Sequence, residues 1–406
     1  MKTNNNIPAY RFQGYTDAWE LRKLGEVVTR VTRKNSELLT ELALTISAQH
    51  GLIDQTEFFD KRIASKDVSG YYLVKNGEFA YNKSTSSDAP WGAVKRLDRY
   101  DMGVLSTLYI VFGISNPERV CSDFLVTYFD TNLWHKEVQA VAAEGARNHG
   151  LLNISANDFL DIALFFPKSF SEQSAIGTFF STLDRHITLH QRKLDTLKEQ
   201  KKTYLKLLFP AKGQTKPALR FKGFEDDWEE VKLGEVLVEY NKKSEIENQF
   251  ELLSSTNSGI EPRSGRVSGE SNIGYKIIKR GMVVLSPQNL WLGNINYNAK
   301  YEIGIVSPSY KVFNIYGPNE LFLATVLRLP QMFFEYAQAS VQGASIVRRN
   351  LDLDLFGSIL VQLPSLPEQE AIGTFFQTLD QEIAQVEDKL ASLKEMKKTL
   401  LRKLFI

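Results

Sequence analysis

Cysteine is nearly missing from this sequence: Cys121 is the only one in 406 residues. A single thiol excludes a disulfide within the chain and a metal centre built from several thiolates. No run of about 18 apolar residues occurs, so no transmembrane helix is predicted. Residues 1–6 are polar and lack the apolar core of a signal peptide. We therefore expect a cytoplasmic protein that does not bind membranes.

Motifs of common catalytic sites are also missing. There is no Gly-x-x-x-x-Gly-Lys phosphate loop and no Gly-x-Gly-x-x-Gly turn. Adjacent prolines do not occur, which excludes the Asn/Asp-Pro-Pro-aromatic motif of amino-methyltransferases. No catalytic residue and no metal ligand is therefore predicted. The histidines are scattered without the spacing of metal ligands: His50, His135, His149, His186 and His190.

An excess of positive charge is absent as well. The chain carries a net charge of +1. Residues 11–170 and 217–365 each sum to −2, residues 171–216 to +5 and residues 366–406 to −1. A protein that grips DNA alone through its phosphates is usually more basic. If this chain binds DNA, we expect other subunits to contribute backbone contacts.

What the sequence does contain is an internal repeat. Residues 11–14 read Arg-Phe-Gln-Gly and 220–223 read Arg-Phe-Lys-Gly, and the pattern Trp-Glu-x-x-Lys-Leu-Gly-Glu-Val occurs at both 19–27 and 228–236. Glu-Gln-x-Ala-Ile-Gly-Thr-Phe-Phe-x-Thr-Leu-Asp occurs at both 172–184 and 368–380. The residues between these shared ends differ much more. Random divergence after duplication is one explanation, but it would also have changed the shared ends. We therefore favour selection for two different interior sequences.

Each repeat ends in a long helical segment, predicted at 171–210 and 366–406. Apolar residues recur at seven-residue spacing, which is typical of a seam that packs on another helix. His190 is placed in this seam, and Asp184 and Asp380 are expected in solvated or capping positions. The alternative is that each helix packs on its own module. The predicted seam residues are Ile176, Phe180, Leu183, Ile187, Leu194, Leu197, Ile372, Phe376, Leu379, Ile383, Leu390 and Leu393.

The remaining segments, 1–170 (the first module) and 218–365 (the second module), are predicted to be mixed α and β, with 211–217 as a linker. Strands are expected at 71–74, 105–112, 277–285 and 306–313, where β-branched and aromatic residues are frequent. Amphipathic helices are expected at 133–143 and 321–338. The fold class is therefore α+β.

Polar loops between these strands contain residue types that read base edges or phosphates in DNA. The same residues also fill ordinary turns, so each single assignment stays open. The candidates are Lys83, Ser84, Trp91, Lys95, Arg96, Arg147 and Asn148 in the first module, and Arg263, Arg266, Gln288, Asn289, Trp291, Arg348 and Arg349 in the second.

Together, the shared ends at 19–27, 228–236, 172–184 and 364–380 and the two helices resemble the specificity subunit of type I restriction-modification systems, over almost the whole chain. The first copy departs from the pattern because it lacks a counterpart of Pro367. The resemblance implies two target-recognition domains, each reading one half of a split target in double-stranded DNA. It implies an antiparallel coiled coil of the two helices that sets the gap and docks two methyltransferase subunits.

The same resemblance implies further partners and assigns the chemistry to them. Motor-nuclease subunits would join the full complex, and S-adenosylmethionine, ATP and Mg would bind to partner subunits rather than to this chain. The competing hypothesis is a non-enzymatic, two-headed scaffold that binds two different proteins. Neighbouring methyltransferase and helicase-nuclease genes would separate these two hypotheses.

Overall fold

The computed structural model describes residues 6–47, 51–87, 89–142, 150–263, 271–345 and 348–406, with the backbone alone at 341–345 and 348–349. Backbone contacts divide the chain into two units. The first unit contains residues 1–191 and 389–406, and the second contains 192–388. Each unit therefore combines one module with a part of each long helix.

The first unit is built on antiparallel strands whose apolar side chains are buried. A four-stranded sheet has the order β2-β9-β6-β7, and three pairs, β1-β10, β5-β8 and β3-β4, complete the unit. The strands are β1 Glu20–Lys23, β2 Val28–Arg30, β3 Leu44–Ser47, β4 Gly51–Asp54, β5 Tyr72–Lys75, β6 Phe79–Asn82, β7 Ala93–Arg96, β8 Met102–Leu105, β9 Ile110–Ile114 and β10 Ala163–Phe166. The helices are α1 Gln55–Phe59, α2 Ser122–Phe129, α3 His135–Val141, α4 Ala156–Leu160 and the start of α5 Phe170–Leu207.

The second unit repeats this strand order. Its four-stranded sheet runs β12-β19-β16-β17, and the pairs are β11-β22, β15-β18, β13-β14 and β20-β21. The strands are β11 Glu229–Lys232, β12 Leu237–Glu239, β13 Leu253–Thr256, β14 Gly259–Pro262, β15 Lys276–Lys279, β16 Val283–Leu285, β17 Ile295–Tyr297, β18 Ile303–Val306, β19 Lys311–Ile315, β20 Ser340–Ser345, β21 Arg348–Leu351 and β22 Leu360–Leu363. The helices are α6 Leu233–Val236, α7 Glu320–Val326, α8 Pro330–Gln338, α9 Leu353–Gly357 and α10 Leu366–Leu404.

Three of the predicted strands are each two strands joined by a tight turn, so the prediction was wrong in extent. The segment 105–112 contains the end of β8 and the start of β9, and Tyr109 N donates to Ser106 O at 3.1 Å in the turn between them. In 306–313 the same turn is closed by Tyr310 N and Ser307 O at 3.0 Å. In 277–285 the turn contains Gly281 at φ +87°, a backbone conformation that glycine adopts at little cost.

The predicted helix 321–338 is also two helices, α7 and α8. Pro330 begins α8, because proline has no N–H for a helix interior but fits the first helical turn. The strand predicted at 71–74 and the helix predicted at 133–143 are confirmed as β5 and α3, shifted or shortened by one or two residues. The α+β fold class is confirmed.

Each unit has an aromatic core that includes both its module and its helix segments. In the first unit, Trp19, Phe124 and Phe180 share one buried cluster with Leu404 and Phe405 from the chain end. In the second unit, Trp228, Phe322 and Phe376 share a cluster with Leu208 and Phe209. The end of a long helix therefore completes the core of each unit.

The long helices begin at equivalent positions, Phe170 and Leu366, so Pro367 does not shift the start of α10. All but one of the predicted seam residues are buried, and Ile187 is half-buried. Ile176, Phe180, Ile372 and Phe376 lie in the module cores. The first turns of each helix therefore pack on their own module, as the alternative interpretation required.

Candidate nucleic-acid interface

The repeated ends of the two modules form an ion pair that ties each module to its long helix. In the first unit, Arg11 donates through Nε and Nη2 to the two carboxylate oxygens of Glu172 at 2.7 and 2.8 Å. In the second unit, Arg220 makes the same contact with Glu368 at 2.7 Å on both oxygens. The glutamate side chains are 2% and 1% exposed. This Arg–Glu clamp is formed by residues that recur in the sequence at the two ends of each module.

The glutamine after each clamp glutamate joins the helix to a second element. Gln173 accepts from Cys121 N at 2.9 Å and donates to Pro167 O at 3.1 Å. Gln369 accepts from Asn319 N at 2.8 Å and donates to Pro364 O at 2.7 Å. Both glutamines are buried, so each satisfies backbone groups that would otherwise be costly to bury.

The glycine in each Ile-Gly-Thr-Phe stretch permits a close helix contact. A Cβ at Gly177 would lie 2.6 Å from Phe124 N, and a Cβ at Gly373 would lie 2.8 Å from Phe322 N. Neither distance is sterically allowed, so both positions require glycine. Phe124 and Phe322 are thereby fixed as equivalent residues of α2 and α7.

Two of the predicted DNA-contacting residues, Lys95 and Arg96 on β7, are held in ion pairs. Lys95 Nζ donates to Asp130 Oδ1 at 2.8 Å. Arg96 pairs with Asp98 at 2.6 Å and with Asp123 at 2.8 Å. Their charges are therefore already balanced within the first module, and a contact with a phosphate would have to compete with these carboxylates.

The other described candidates of the first module surround the end of β6. Lys83 is half-buried, with its Nζ 3.5 Å from Ile154 O. Ser84 is exposed, and its backbone nitrogen donates to Asn82 Oδ1 at 3.0 Å. Trp91 is half-buried against the core and accepts from the Tyr81 hydroxyl through its carbonyl at 2.8 Å. Arg147 and Asn148 lie outside the described residues.

In the second module the candidates fall in three places. Gln288 is exposed, and Asn289 and Trp291 are half-buried around the short 3-10 turn Leu290–Leu292. Arg263 is half-buried and follows β14. The backbone of Arg348 and Arg349 lies in β21, where they pair with Ser345 and Gln342 of β20. Arg266 lies outside the described residues. Base or phosphate contact by these residues stays a prediction.

An ion-pair network of two lysines and two aspartates lies in the first unit. Lys397 of α10 donates to Asp130 at 2.8 Å and to Asp184 of α5 at 2.9 Å, and Lys95 donates to the other oxygen of Asp130. Burial alone would raise the pKa of Asp130, but the two ammonium groups outweigh it and lower the pKa. Burial raises the pKa of Asp184, and the nearby Lys397 offsets only part of this increase.

The second unit also joins its two helix segments by ion pairs. Lys201 of α5 pairs with Asp380 of α10. Lys193 pairs with Glu382 at 2.7 Å and Lys198 with Glu387 at 2.6 Å. Asp184 and Asp380, predicted as solvated or capping, are both partners of a lysine on the other helix. His190 is half-buried, and its Nδ1 lies 2.8 Å from His186 O of its own helix.

A polar network in the second module was not predicted; its serine and two asparagines are buried, and its arginine is exposed. Ser255 of β13 donates to Asn294 Oδ1 at 2.6 Å, and Asn296 of β17 donates to Ser255 Oγ at 2.8 Å. Arg328 donates to Asn296 Oδ1 at 2.7 Å and to Asn257 O at 3.0 Å. The only signal in the sequence was the alternation of Asn294, Asn296 and Asn298, which places amides on one face of a strand.

Comparison with solved structures gives the fold of this chain. The S subunit of the type I restriction-modification system from M. genitalium superposes with a TM-score of 0.62, at 18% sequence identity, over 98% of this chain and 99% of that chain. This chain has the fold of a type I S subunit. The resemblance inferred from the sequence is therefore confirmed at the level of the fold.

Two further solved structures are similar at lower scores. A chain from a structural study of complex assembly and conformational transition of the type I R-M system has a TM-score of 0.46 at 16% identity, covering 98% of this chain and 99% of that chain. The HsdS subunit from Thermoanaerobacter tengcongensis has a TM-score of 0.41 at 16% identity, covering 97% and 98%. No protein-family model and no curated protein matches the sequence.

The described residues contain neither a candidate membrane span nor a candidate metal site. No helix there is both long and apolar enough to cross a bilayer. In the same part of the chain, no three His, Cys, Asp or Glu side chains are grouped so that they could hold a metal ion.

Proposed function

We propose that this chain is the DNA sequence-specificity subunit of a type I restriction-modification complex. The observation that carries the proposal is the superposition on an S subunit over 98% of the chain. The chain itself would be non-catalytic. It would act in the cytoplasm on double-stranded DNA, together with two methyltransferase subunits and motor-nuclease subunits. S-adenosylmethionine, ATP and Mg would be bound by those partners.

We further propose that residues 1–170 and 218–365 are two target-recognition domains, each reading one half of a bipartite target. The shared strand order of the two units supports a common scaffold. Their contents differ at equivalent positions. β7 pairs Lys95 with Ala80 of β6, and β17 pairs Asn296 with Val284 of β16 at the same place in the sheet. One scaffold with different polar side chains suits two different half-targets.

The helices 171–210 and 366–406, with 211–217 as the linker between modules, would form an antiparallel coiled coil that sets the gap between half-targets and docks the methyltransferases. The ion pairs support opposite directions. Asp184, early in α5, meets Lys397, late in α10, whereas Lys201, late in α5, meets Asp380, early in α10. A rigid pair of helices would fix a constant number of unread base pairs.

The near-neutral charge of each module supports the need for partners, because phosphate contacts dominate the affinity of DNA-binding proteins. The predicted contacts at Lys83, Ser84, Trp91, Gln288, Asn289 and Trp291 belong to this proposal. Lys95 and Arg96 are weaker candidates, since their ion pairs would have to be exchanged for DNA contacts.

The test is the methylome of a host that expresses the chain with the methyltransferase encoded beside it. We expect one split motif with a spacer of fixed length. A second chain, in which residues 218–365 are exchanged for those of another S subunit, should change one half of the motif and keep the other. A chain without its methyltransferase is the control. A continuous motif, or no motif at all, would contradict the proposal and favour the protein-binding scaffold.

A further inference from the structure

The hairpin of β13 and β14 presents a polar tip on the second module. Its strands pair from Leu253 with Pro262 to Thr256 with Gly259, and Asn257 and Ser258 form the two-residue turn. Both turn residues are exposed. An antiparallel two-stranded ribbon is one of the elements that fit the major groove of DNA, and Asn and Ser side chains pair with base edges there.

The strand below this tip is fixed by amides rather than by apolar packing alone. Asn294 Nδ2 donates to Ser255 O at 2.9 Å, and Asn296 Nδ2 donates to Thr256 O at 2.7 Å. Ser255, Asn294 and Asn296 are between 3% and 5% exposed. A buried polar group is costly unless it is hydrogen-bonded, and a fully bonded network allows a single arrangement of its members. The hairpin is therefore held in one position relative to β17.

Arg328 extends this network to the turn itself. Its Nη1 donates to Ile295 O at 3.1 Å as well as to Asn296 Oδ1, and its Nη2 donates to Asn257 O. One guanidinium thus bridges β17 and the carbonyl of the first turn residue. The planar, fixed geometry of guanidinium donors suits such a bridge, which the single ammonium group of a lysine cannot reproduce.

The first unit has a different arrangement at the same two positions. Asp130 lies six residues after Phe124, and Arg328 lies six residues after its counterpart Phe322. Lys95 occupies the place of Asn296 in the sheet. There the pair Lys95–Asp130 is joined to Lys397 of α10. The position six residues after the equivalent phenylalanines therefore has different roles in the two units. In the first unit Asp130 binds Lys397 near the end of α10, and in the second Arg328 binds the hairpin turn.

We propose that the β13–β14 hairpin reads base edges in the half-target of the second module, and that Arg328 is the positioning residue that holds its turn. This inference rests on the proposed function. Asn257 and Ser258 are the contacting residues, with Arg263 placed directly after the hairpin. Arg328 is exposed, and it acts through Asn257 O and Asn296, with three of its five guanidinium N–H groups donating to carbonyl and amide oxygens.

The test uses the full chain with its methyltransferase, in a host whose methylome is sequenced. The half-target of the second module is first identified as the half that changes when residues 218–365 are exchanged. Arg328→Met and Arg328→Lys should each lower, at least tenfold, the ratio of methylation at the full target to methylation at sites altered in that half. Discrimination in the other half should stay within twofold. Arg280→Met is the matched control, because Arg280 is an exposed arginine of the same unit, paired with Glu302 at 3.4 Å.

A merely structural role for Arg328 would lower thermal stability and methylation at all sites alike. That result, or unchanged discrimination in Arg328→Met, would overturn the positioning role. Asn257→Ala and Ser258→Ala change only exposed turn side chains and test the hairpin independently. We expect at least one of them to lower discrimination about tenfold, the usual effect of losing a good base contact. If neither does, the hairpin does not read bases. If the unsubstituted chain gives no motif, the proposed function itself fails.

Discussion

Phe405, the second-to-last residue of the chain, packs edge-on against Trp19, with the ring centroids 5.8 Å apart and the ring planes at 87°. It also contacts Phe124 at 5.8 Å and Tyr128 at 5.9 Å. Two residues earlier, Lys403 O accepts from Tyr10 N at 2.9 Å. The end of the chain therefore closes the core of the unit that contains its beginning, as Phe209 does beside Trp228 in the second unit.

Removing this ring should destabilise the first unit. We expect Phe405→Ala to cost about 3–5 kcal/mol, the usual effect of truncating a buried aromatic side chain. Urea unfolding of the full chain, followed by hydrogen exchange in β1 and α2, measures the effect. Met396→Ala is the control, because Met396 lies on the same end of α10 but is 46% exposed. Equal losses in the two variants would show that Phe405 is not part of the core.

The two Arg–Glu clamps should differ in strength. Glu172 accepts a third hydrogen bond, from Trp19 Nε1 at 3.2 Å, whereas among the described residues Trp228 Nε1 has no hydrogen-bond partner. Glu172→Gln should therefore destabilise its unit by about 3 kcal/mol, because it leaves the charge of the half-buried Arg11 unbalanced. Glu368→Gln should cost less. Paired urea titrations measure both, and a larger loss for Glu368→Gln would contradict the assignment.

The first unit should lose stability in acid through Asp130. Its pKa is lowered below the ordinary value of 3.8, so its contribution is complete above about pH 5 and is lost as the pH falls through the folded-state pKa. The raised pKa of Asp184 acts in the opposite sense, since protonation relieves its burial. Free energies of unfolding measured from pH 7 to pH 3 should fall less steeply for Asp130→Asn than for the unsubstituted chain. Identical slopes would count against this role.

The heptad positions should be sensitive to charge. Leu197 is 7% exposed, and Leu197→Asp would bury an unpaired carboxylate at a cost of several kcal/mol. We expect loss of methyltransferase copurification and of split-motif methylation, while the circular dichroism of the modules is retained. Thr196→Asp introduces the same charge one residue earlier at an exposed position and should leave both properties unchanged. Normal assembly by Leu197→Asp would show that this position is not in the seam.

Gly281 and Pro308 mark two of the three missed strand boundaries in the sequence, but the third is unmarked. The run 105–112 is continuously rich in apolar residues, and the turn at Ser106 and Tyr109 carries neither glycine nor proline. The commonest β-turn accepts most residue types, so a turn need not contain glycine or proline. Residues 327–329 separate α7 from α8, which begins at Pro330. The apolar spacing continues across this break, so a prediction from periodicity alone joined the two helices.

The DNA-contacting candidates show a second limit. Lys95 and Arg96 were predicted to contact DNA because of their residue type. Both are paired with aspartates, Lys95 with Asp130 at the end of α2 and Arg96 with Asp98 and Asp123. Asn296 and Arg328 were not predicted as a pair. Asn296 lies in β17 and Arg328 follows α7, so the two residues are 32 positions apart in the sequence. A charged side chain in a loop is free or satisfied according to what folds against it, and one sequence carries no record of that.

The sequence by itself determined the repeat, the α+β class, the two long helices and their buried faces, because periodicity and recurrence are properties of residue order. It also identified the residues of the Arg–Glu clamps as shared ends, without their role. Only the tertiary structure decided that Glu172 and Glu368 bind the arginines that begin their modules, and that Gly177 and Gly373 admit a backbone nitrogen. Only the tertiary structure showed that Asp130 and Arg328 occupy equivalent positions, and that Asp130 binds Lys397 of α10 whereas Arg328 binds the turn of the β13–β14 hairpin. These contacts join residues up to 267 positions apart, and their energies depend on distance, burial and hydrogen-bond geometry, which only the folded chain sets.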